Sequence, residues 1–248
     1  MTEPNRSLFE LPEKILTSLP TGAVKDTVEH LGHRIARGDY ATGSTLPKEG
    51  ELVEAIGVSR TVIREAIKVL CGKGLVRTAR RYGSKVCHFN EWNLLDPDVI
   101  RWHTPECPMT ARIYAEATQL RFIFEPEAAS LAAANASQRQ RETILSAAKS
   151  IRSDLGEKAM IGADYAFHST ILQASGNLML AQFQNLIHAV LVSSYAAGRD
   201  GVPEERLSRS NHIKVAEAIQ AGNGEQARSR MIEMLMLNQE IAERITKT

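Results

Sequence analysis

Asp164 and His168 stand four residues apart in the stretch ADYAFHSTIL. On a helix that spacing brings a carboxylate and an imidazole onto one face, where both reach a common point. Phe167, Ile171 and Leu172 surround the pair with apolar surface, so the face is partly buried. His212 opens a second helical period, NHIKVAEAIQAGNG. Together the three side chains offer donors for a divalent cation, or hydrogen bonds for an anionic ligand. Taken singly, each histidine reads as a polar surface or capping residue rather than a ligand. Arg121 and Glu125 repeat the four-residue spacing. Its plain consequence is an intrahelical ion pair; its functional one is a planar guanidinium that grips a carboxylate at two points. Two histidines and one carboxylate around an open position also describe some metal hydrolases and oxygenases. A metal-dependent enzyme is therefore the alternative reading, although no general base stands close by in the sequence. His103 and His188 are read as structural or exposed.

Helices must position these groups. Residues 109–134 carry a long helical period through Ile113, Ala117, Leu120, Ile123, Phe124, Ala128, Leu131 and Ala132. Further periods run over 138–153, 158–174, 178–197, 204–221 and 224–245, with breaks at Gly156, Gly162, Ser175-Gly176-Asn177, Gly198 to Gly201 and Gly222-Asn223-Gly224. Gly162 suggests that the third of these helices starts at Ala163. No strand alternation of any length appears, so residues 109–248 are expected to form an antiparallel helical bundle of six or so helices.

The front of the chain reads differently. Residues 46–85 give a helix, a turn, a second helix and a short basic hairpin. Pro47 opens the first helix with its φ preset, and Glu49 and Glu51 suit the positive end of its dipole. Gly57 ends it in the left-handed region, and Ser59 caps the next. Ile63, Ala66, Ile67 and Leu70 then face inward, which leaves Arg60, Thr61 and Arg64 outward at the N-terminal end, the arrangement a recognition helix needs to enter a major groove. Leu75-Val76 and Lys85-Val86 are expected as strands around Arg77, Arg80, Arg81, Tyr82 and Gly83, a wing suited to phosphate. A helix over 22–38 precedes this unit, and residues 1–21 form a loose arm. Residues 90–108, with Pro97, Pro105 and Pro108, are expected as a linker, anchored by Trp92, Leu95, Val99 and Trp102.

Composition supports this division. The 248 residues are 43% hydrophobic and only 5% aromatic, which favours alanine- and leucine-rich helices. Residues 22–90 carry 12 lysines and arginines against 7 acids, whereas residues 91–248 carry 16 against 19. A basic head on a mildly acidic body fits DNA binding by the head. No stretch has the ~20 apolar residues of a membrane span. The start, MTEPNRSLFELPEK, lacks a signal peptide's apolar core, and Cys71, Cys87 and Cys107 have neither metal spacing nor an even count. A cytoplasmic protein is expected.

LPKEGELVEAIGVSRTVIREAIKVLCGKGLV resembles the DNA-binding signature of the GntR family of bacterial transcription factors, through Leu46-Pro47, Glu49, Glu51-Leu52, Gly57 to Arg60, Arg64-Glu65, Leu70 and Gly74-Leu75. Residues 110–245 are similar to the FCD domain of that family's FadR branch. The matching pieces are Leu120 to Ala129, Asp164 to His168, and His212 to Gly222 leading into Ala227 and Met231. Over 92–102, W-N-x-L-D-x-D-V-x-x-W resembles the linker of the family's sugar-acid regulators. The resemblance implies a mainly α fold: a winged helix-turn-helix at 22–89, then an FCD helical bundle at 109–248. It further implies a homodimeric repressor on a palindromic double-stranded operator, released by a small carboxylate or sugar acid. DNA would be met by Lys48, Ser59, Arg60, Thr61, Arg64, Arg80, Arg81, Tyr82 and Gly83. The effector would be lined by Arg121, Glu125, Asp164, His168 and His212, with Tyr195, Arg199 and Asn238 as lesser candidates. A divalent metal (zinc, nickel or manganese) would sit on Asp164, His168 and His212. Two departures stand out. The family's further metal-binding histidine falls on Met234, whose thioether suits such cations poorly. An arginine that many relatives carry after the first helix's glutamate is Gly50, so their operator sequence does not transfer.

Overall fold

A computed structural model of the chain describes residues 19–79, 83–104, 106–152, 156–197 and 209–246, with the side chains of 157, 189, 192–197 and 237–246 left aside. It forms two compact units that divide between Thr110 and Ala111.

In the N-terminal unit, α1 (Ala23–Ala36) lays Val28, Leu31, Ile35 and Ala36 into the core. Next, α2 (Glu49–Ile56) starts two residues after Pro47, because the Lys48 amide donates to the Glu51 carboxylate at 2.9 Å and makes Lys48 the cap. Gly57 closes α2 at φ 78°. Ser59 Oγ accepts the Val62 amide at 3.3 Å and opens α3 (Arg60–Gly72), which buries Ile63, Ala66, Ile67 and Leu70. The hairpin is longer than the expected strands: β1 (Val76–Ala79) pairs antiparallel with β2 (Gly83–Val86), and Arg77 stands opposite Lys85 within the ladder.

Segment 90–108, expected as a linker, packs into this same unit. It contains a 3-10 turn (Phe89–Glu91) and α4 (Pro97–Arg101), where Asp96 caps the Asp98 amide at 2.9 Å and Pro97 takes the first helical position. Trp92, Val99, Trp102 and Cys107 share one core with Leu31 and Leu70, whereas Leu95 is 56% exposed. A Cβ on Gly32 of α1 would come within 2.5 Å of the Trp102 ring, so only glycine lets the indole lie there. Beneath it runs a charge network with long sequence separation. Lys73 Nζ reaches Asp96 at 2.7 Å and Asp98 at 2.8 Å; Arg101 bridges Asp98 and Glu29, and Glu29 accepts the Trp102 indole N–H at 2.6 Å.

Described by itself, the C-terminal unit has only helices among its described elements: α5 (Thr110–Asn135), α6 (Gln138–Ser150), α7 (Glu157–Ala174), α8 (Leu178–Gln182), α9 (Gln184–Ala197), α10 (Arg209–Gln220) and α11 (Gly224–Thr246). The principal pairings are α6 with α7 and α10, α10 with α11, and α7 with α9. Two expectations are corrected. Gly162 lies inside α7, which starts at Glu157; it is buried, and a glycine's cost of about 1 kcal/mol is outweighed by the packed residues around it. The helix expected over 178–197 breaks at Phe183, whose ring stacks on Phe124 at 4.7 Å. The Arg141 guanidinium donates to the carbonyls of Ala133, Ala136, Ile219 and Gln220, meeting the open ends of α5 and α10.

Candidate functional site

The bundle gathers Asp164 and His168 from α7 with His212 from α10. Asp164 Oδ1 lies 3.2 Å from His168 Nε2 and 3.4 Å from His212 Nε2. All three residues are buried, and their potential ligand atoms lie within 4.8 Å of one another. The Phe167 ring packs edge-on against both imidazoles, at 5.1 Å and 4.9 Å, which fixes their planes.

From α5, Glu125 Oε2 meets His168 Nδ1 at 2.5 Å. That contact favours a hydrogen on Nδ1 and leaves Nε2, on the Asp164 side of the ring, as the atom that would face a metal, the way a carboxylate orients a metal-binding histidine. Arg121 Nε reaches the other Glu125 oxygen at 2.5 Å, and its Nη2 lies 3.1 Å from His168 Nε2. Arg121 is thus 3% exposed and already paired; it holds Glu125 in place.

Charge and burial oppose each other here. Burial alone would raise the Glu125 carboxyl, but the Arg121 and His168 charges hold it down to about 2. Asp164 is likewise pushed up by burial and pulled well below the carboxylate range by hydrogen bonds from His168 and His212. His168 is lowered by burial and by Arg121, yet Glu125 and Asp164 carry it above its usual value.

Sequence reading missed part of the α5 wall. Tyr114 and Thr118 precede Arg121 and Glu125 at positions i, i+4, i+7 and i+11, one polar stripe along the helix. Burial raises the Tyr114 phenol, while the Arg121 guanidinium lowers it and Asp164 raises it, so its oxygen feels both charges. That polar period was present in the sequence as the signal. Met234 is 4% exposed. His103 and His188 are both buried, so of the two expected roles the structural one holds. Arg199 lies outside the described residues, as do the side chains of Tyr195 and Asn238.

On the N-terminal unit, Lys48, Ser59, Arg60, Thr61, Arg64 and Gly83 are all exposed. Arg64 Nε pairs with both Glu49 oxygens, at 2.9 Å and 3.1 Å, so α2 steadies the guanidinium at the face of α3. Arg80, Arg81 and Tyr82 lie outside the described residues.

Residues 23–86 match the family described as "Bacterial regulatory proteins, gntR family", and residues 116–236 match the FCD domain. The chain is 34% identical over 165 residues to the uncharacterised HTH-type transcriptional regulator YieP of Escherichia coli K12, across 65% of this chain and 71% of YieP. It is 30% identical over 210 residues to the galactonate operon transcriptional repressor of the same strain, across 83% and 90%. Against the HTH-type transcriptional regulator LutR of Bacillus subtilis it is 29% identical over 209 residues, across 80% and 91%. Among solved structures, Lar, which controls expression of the Listeria monocytogenes agr system, superposes with a TM-score of 0.64 over 91% of this chain and 98% of its own, at 18% identity. That last likeness is one of fold.

Proposed function

Because the chain belongs to the gntR family of bacterial regulatory proteins and carries an FCD domain, we propose that it is a homodimeric repressor released from its operator by a small carboxylate or sugar acid bound through a divalent metal. The coarser statement stands on the family itself: this is a DNA-binding transcription regulator and not an enzyme. Among the described residues no helix is long and apolar enough to cross a membrane, in keeping with a cytoplasmic protein.

One observation carries the effector reading: Asp164, His168 and His212 converge, with Glu125 behind His168. Two imidazoles and a carboxylate suit zinc, nickel or manganese, and the three-donor set fits such an ion. A bound ion would supply positive charge and open coordination positions for an effector oxygen. Charge then decides when an acid is accepted. With neutral histidines, Arg121, Glu125 and Asp164 sum to one negative charge, which repels a carboxylate. A divalent cation reverses the balance to one positive charge, which a single carboxylate neutralises. Met234 leaves one position to solvent or effector, at a cost in metal affinity.

At the other end, Arg60, Thr61 and Arg64 would read base edges or adjacent phosphates, with Ser59 and Lys48 on the backbone and the wing at 80–83 along the duplex. A two-fold dimer would match a palindrome of two half-sites. Effector on α5 and α7 would change the spacing of the two heads through the chain that enters α5 at Thr110.

Thermal denaturation of metal-free protein with a series of sugar acids, with and without zinc or nickel, tests the effector site. The acid raises the melting temperature only when the metal is present, and Asp164→Asn or His212→Gln abolishes that gain. A gain from the acid alone that survives both substitutions would contradict the metal-bridged site.

A further inference from the structure

Arg64 lies one turn after Arg60 on α3, and the two arginines are held differently. Arg60 is exposed and has no ion-pair partner among the described residues. Arg64 Nε donates to both oxygens of Glu49, the first residue of α2, at 2.9 Å and 3.1 Å. The two side chains are 59% and 37% exposed, so the pair adds little to stability. Its geometry has another consequence. A guanidinium carries five N–H donors in one plane; with the Nε–H turned to Glu49, the outer edge made by the two terminal nitrogens stays free. Nothing among the described residues bonds those nitrogens. Gly50, beside Glu49, has no side chain, and a Cβ there would meet nothing within 4 Å, so the surface next to the pair is open.

We propose that Glu49 is a positioning residue that makes Arg64 a reader of guanine. It rests on the reading of α3 as the recognition helix and gives that reading a base. The fork of two terminal nitrogens matches N7 and O6 of guanine, which in the major groove is the base that presents two acceptors side by side. A phosphate also accepts a fork, but charge separates the two ligands. Arg64 and Glu49 together carry no net charge, and the carboxylate repels a phosphate, so the pair gains little from the backbone. A base edge carries no charge to repel. Arg60, with no acid upon it, is the α3 arginine suited to phosphate. Glu49 thus lowers affinity for DNA in general and raises discrimination among sequences.

Fluorescence anisotropy of the full-length protein tests this on three kinds of duplex: its own upstream DNA, the same DNA with one guanine at a time replaced by 7-deazaguanine, and a random sequence. The replacement removes the N7 acceptor and keeps the base pair. For at least one guanine it weakens the unsubstituted protein about tenfold, and Arg64→Ala binds that pair of duplexes equally. Glu49→Ala and Glu49→Gln both bind the random duplex more tightly, with a salt slope steeper by about one, because the charge that opposed phosphate is gone. Glu49→Ala loses the preference for guanine over 7-deazaguanine; Glu49→Gln, whose amide oxygen still accepts the Nε–H, keeps part of it. Melting curves check that each variant is folded. Full guanine preference in Glu49→Ala overturns the positioning role, as does an affinity loss equal on every duplex, which leaves Glu49 a helix-start residue only. An Arg64→Ala loss that is the same on every duplex assigns Arg64 to phosphate and overturns the inference while α3 stays on the DNA. If neither Arg60→Ala nor Arg64→Ala alters affinity for the upstream duplex, the recognition-helix reading falls and this inference with it.

Discussion

Replacing Lys73 by Met is expected to remove a large share of the DNA-binding unit's stability without touching its DNA-facing surface. The ammonium is 5% exposed and sits between Asp96 and Asp98, themselves 15% and 0% exposed, at 2.7 Å and 2.8 Å. Breaking a buried ion pair from one side costs about 3–5 kcal/mol, because the abandoned charge stays buried. The lower end applies here. Asp98 keeps Arg101 at 3.1 Å, and Asp96 keeps the Asp98 amide at 2.9 Å and some solvent. A loss of about 3 kcal/mol from a domain whose total is about 5–15 kcal/mol leaves it marginal. For a unit of this size the same loss lowers the melting temperature by about 12–24 °C. The chain's two tryptophans, Trp92 and Trp102, both lie in this unit, so urea unfolding followed by indole fluorescence reports on it alone. Adding Asp98→Asn to Lys73→Met should cost at least about 1 kcal/mol less than the two single losses together, since the stranded charge is removed with its partner. A single-variant loss under about 1 kcal/mol, or strict additivity in the pair, would refute a buried network in which these charges depend on one another.

Three further outcomes follow from the same geometry. Arg64→Ala should weaken binding to the protein's own upstream DNA by about 1–3 kcal/mol in a fluorescence anisotropy titration if Arg64 contacts a base; unchanged affinity would remove it from the reading face. Glu125→Gln should weaken zinc binding about 10–100-fold by competition with a chromophoric chelator, because it loosens the His168 ring; undiminished affinity would make Glu125 a bystander. His103 titrates below its usual value, through burial despite its 2.7 Å bond to the Val99 carbonyl, with His33 adding to the lowering. A lowered histidine favours folding fully above its unfolded value of about 6.5 and loses that contribution as pH falls beneath it. The urea midpoint should therefore drop between pH 7.5 and 5.5 by more in the unsubstituted protein than in His103→Gln, and equal drops would clear His103 of the effect.

What could be read from the sequence was local. The cap at Ser59, the left-handed Gly57 and the inward row from Ile63 to Leu70 are set within a few residues, and α3 formed where they predicted. Asp164 and His168 were legible for the same reason, since helical spacing alone brings them together. Features made by distant partners were not. Phe183 breaks the helix expected at 178–197 where its ring stacks on Phe124, a residue of another helix. Segment 90–108 looked like a connector because prolines interrupt it, yet Lys73 and Glu29, far off in sequence, fold it into the head. Glu125 read first as the partner of Arg121; that it also orients His168 depends on α5 facing α7, which no spacing within α5 reveals.

In the proposed function, a metal-held acid in the bundle controls DNA binding by the head. The direct measurement is anisotropy of labelled upstream DNA bound by the full-length protein, titrated with a sugar acid in zinc and again after chelation. The expected result is release of the DNA in zinc, none after chelation, and none in either condition for Asp164→Asn. Release that persists after chelation and in Asp164→Asn would contradict it.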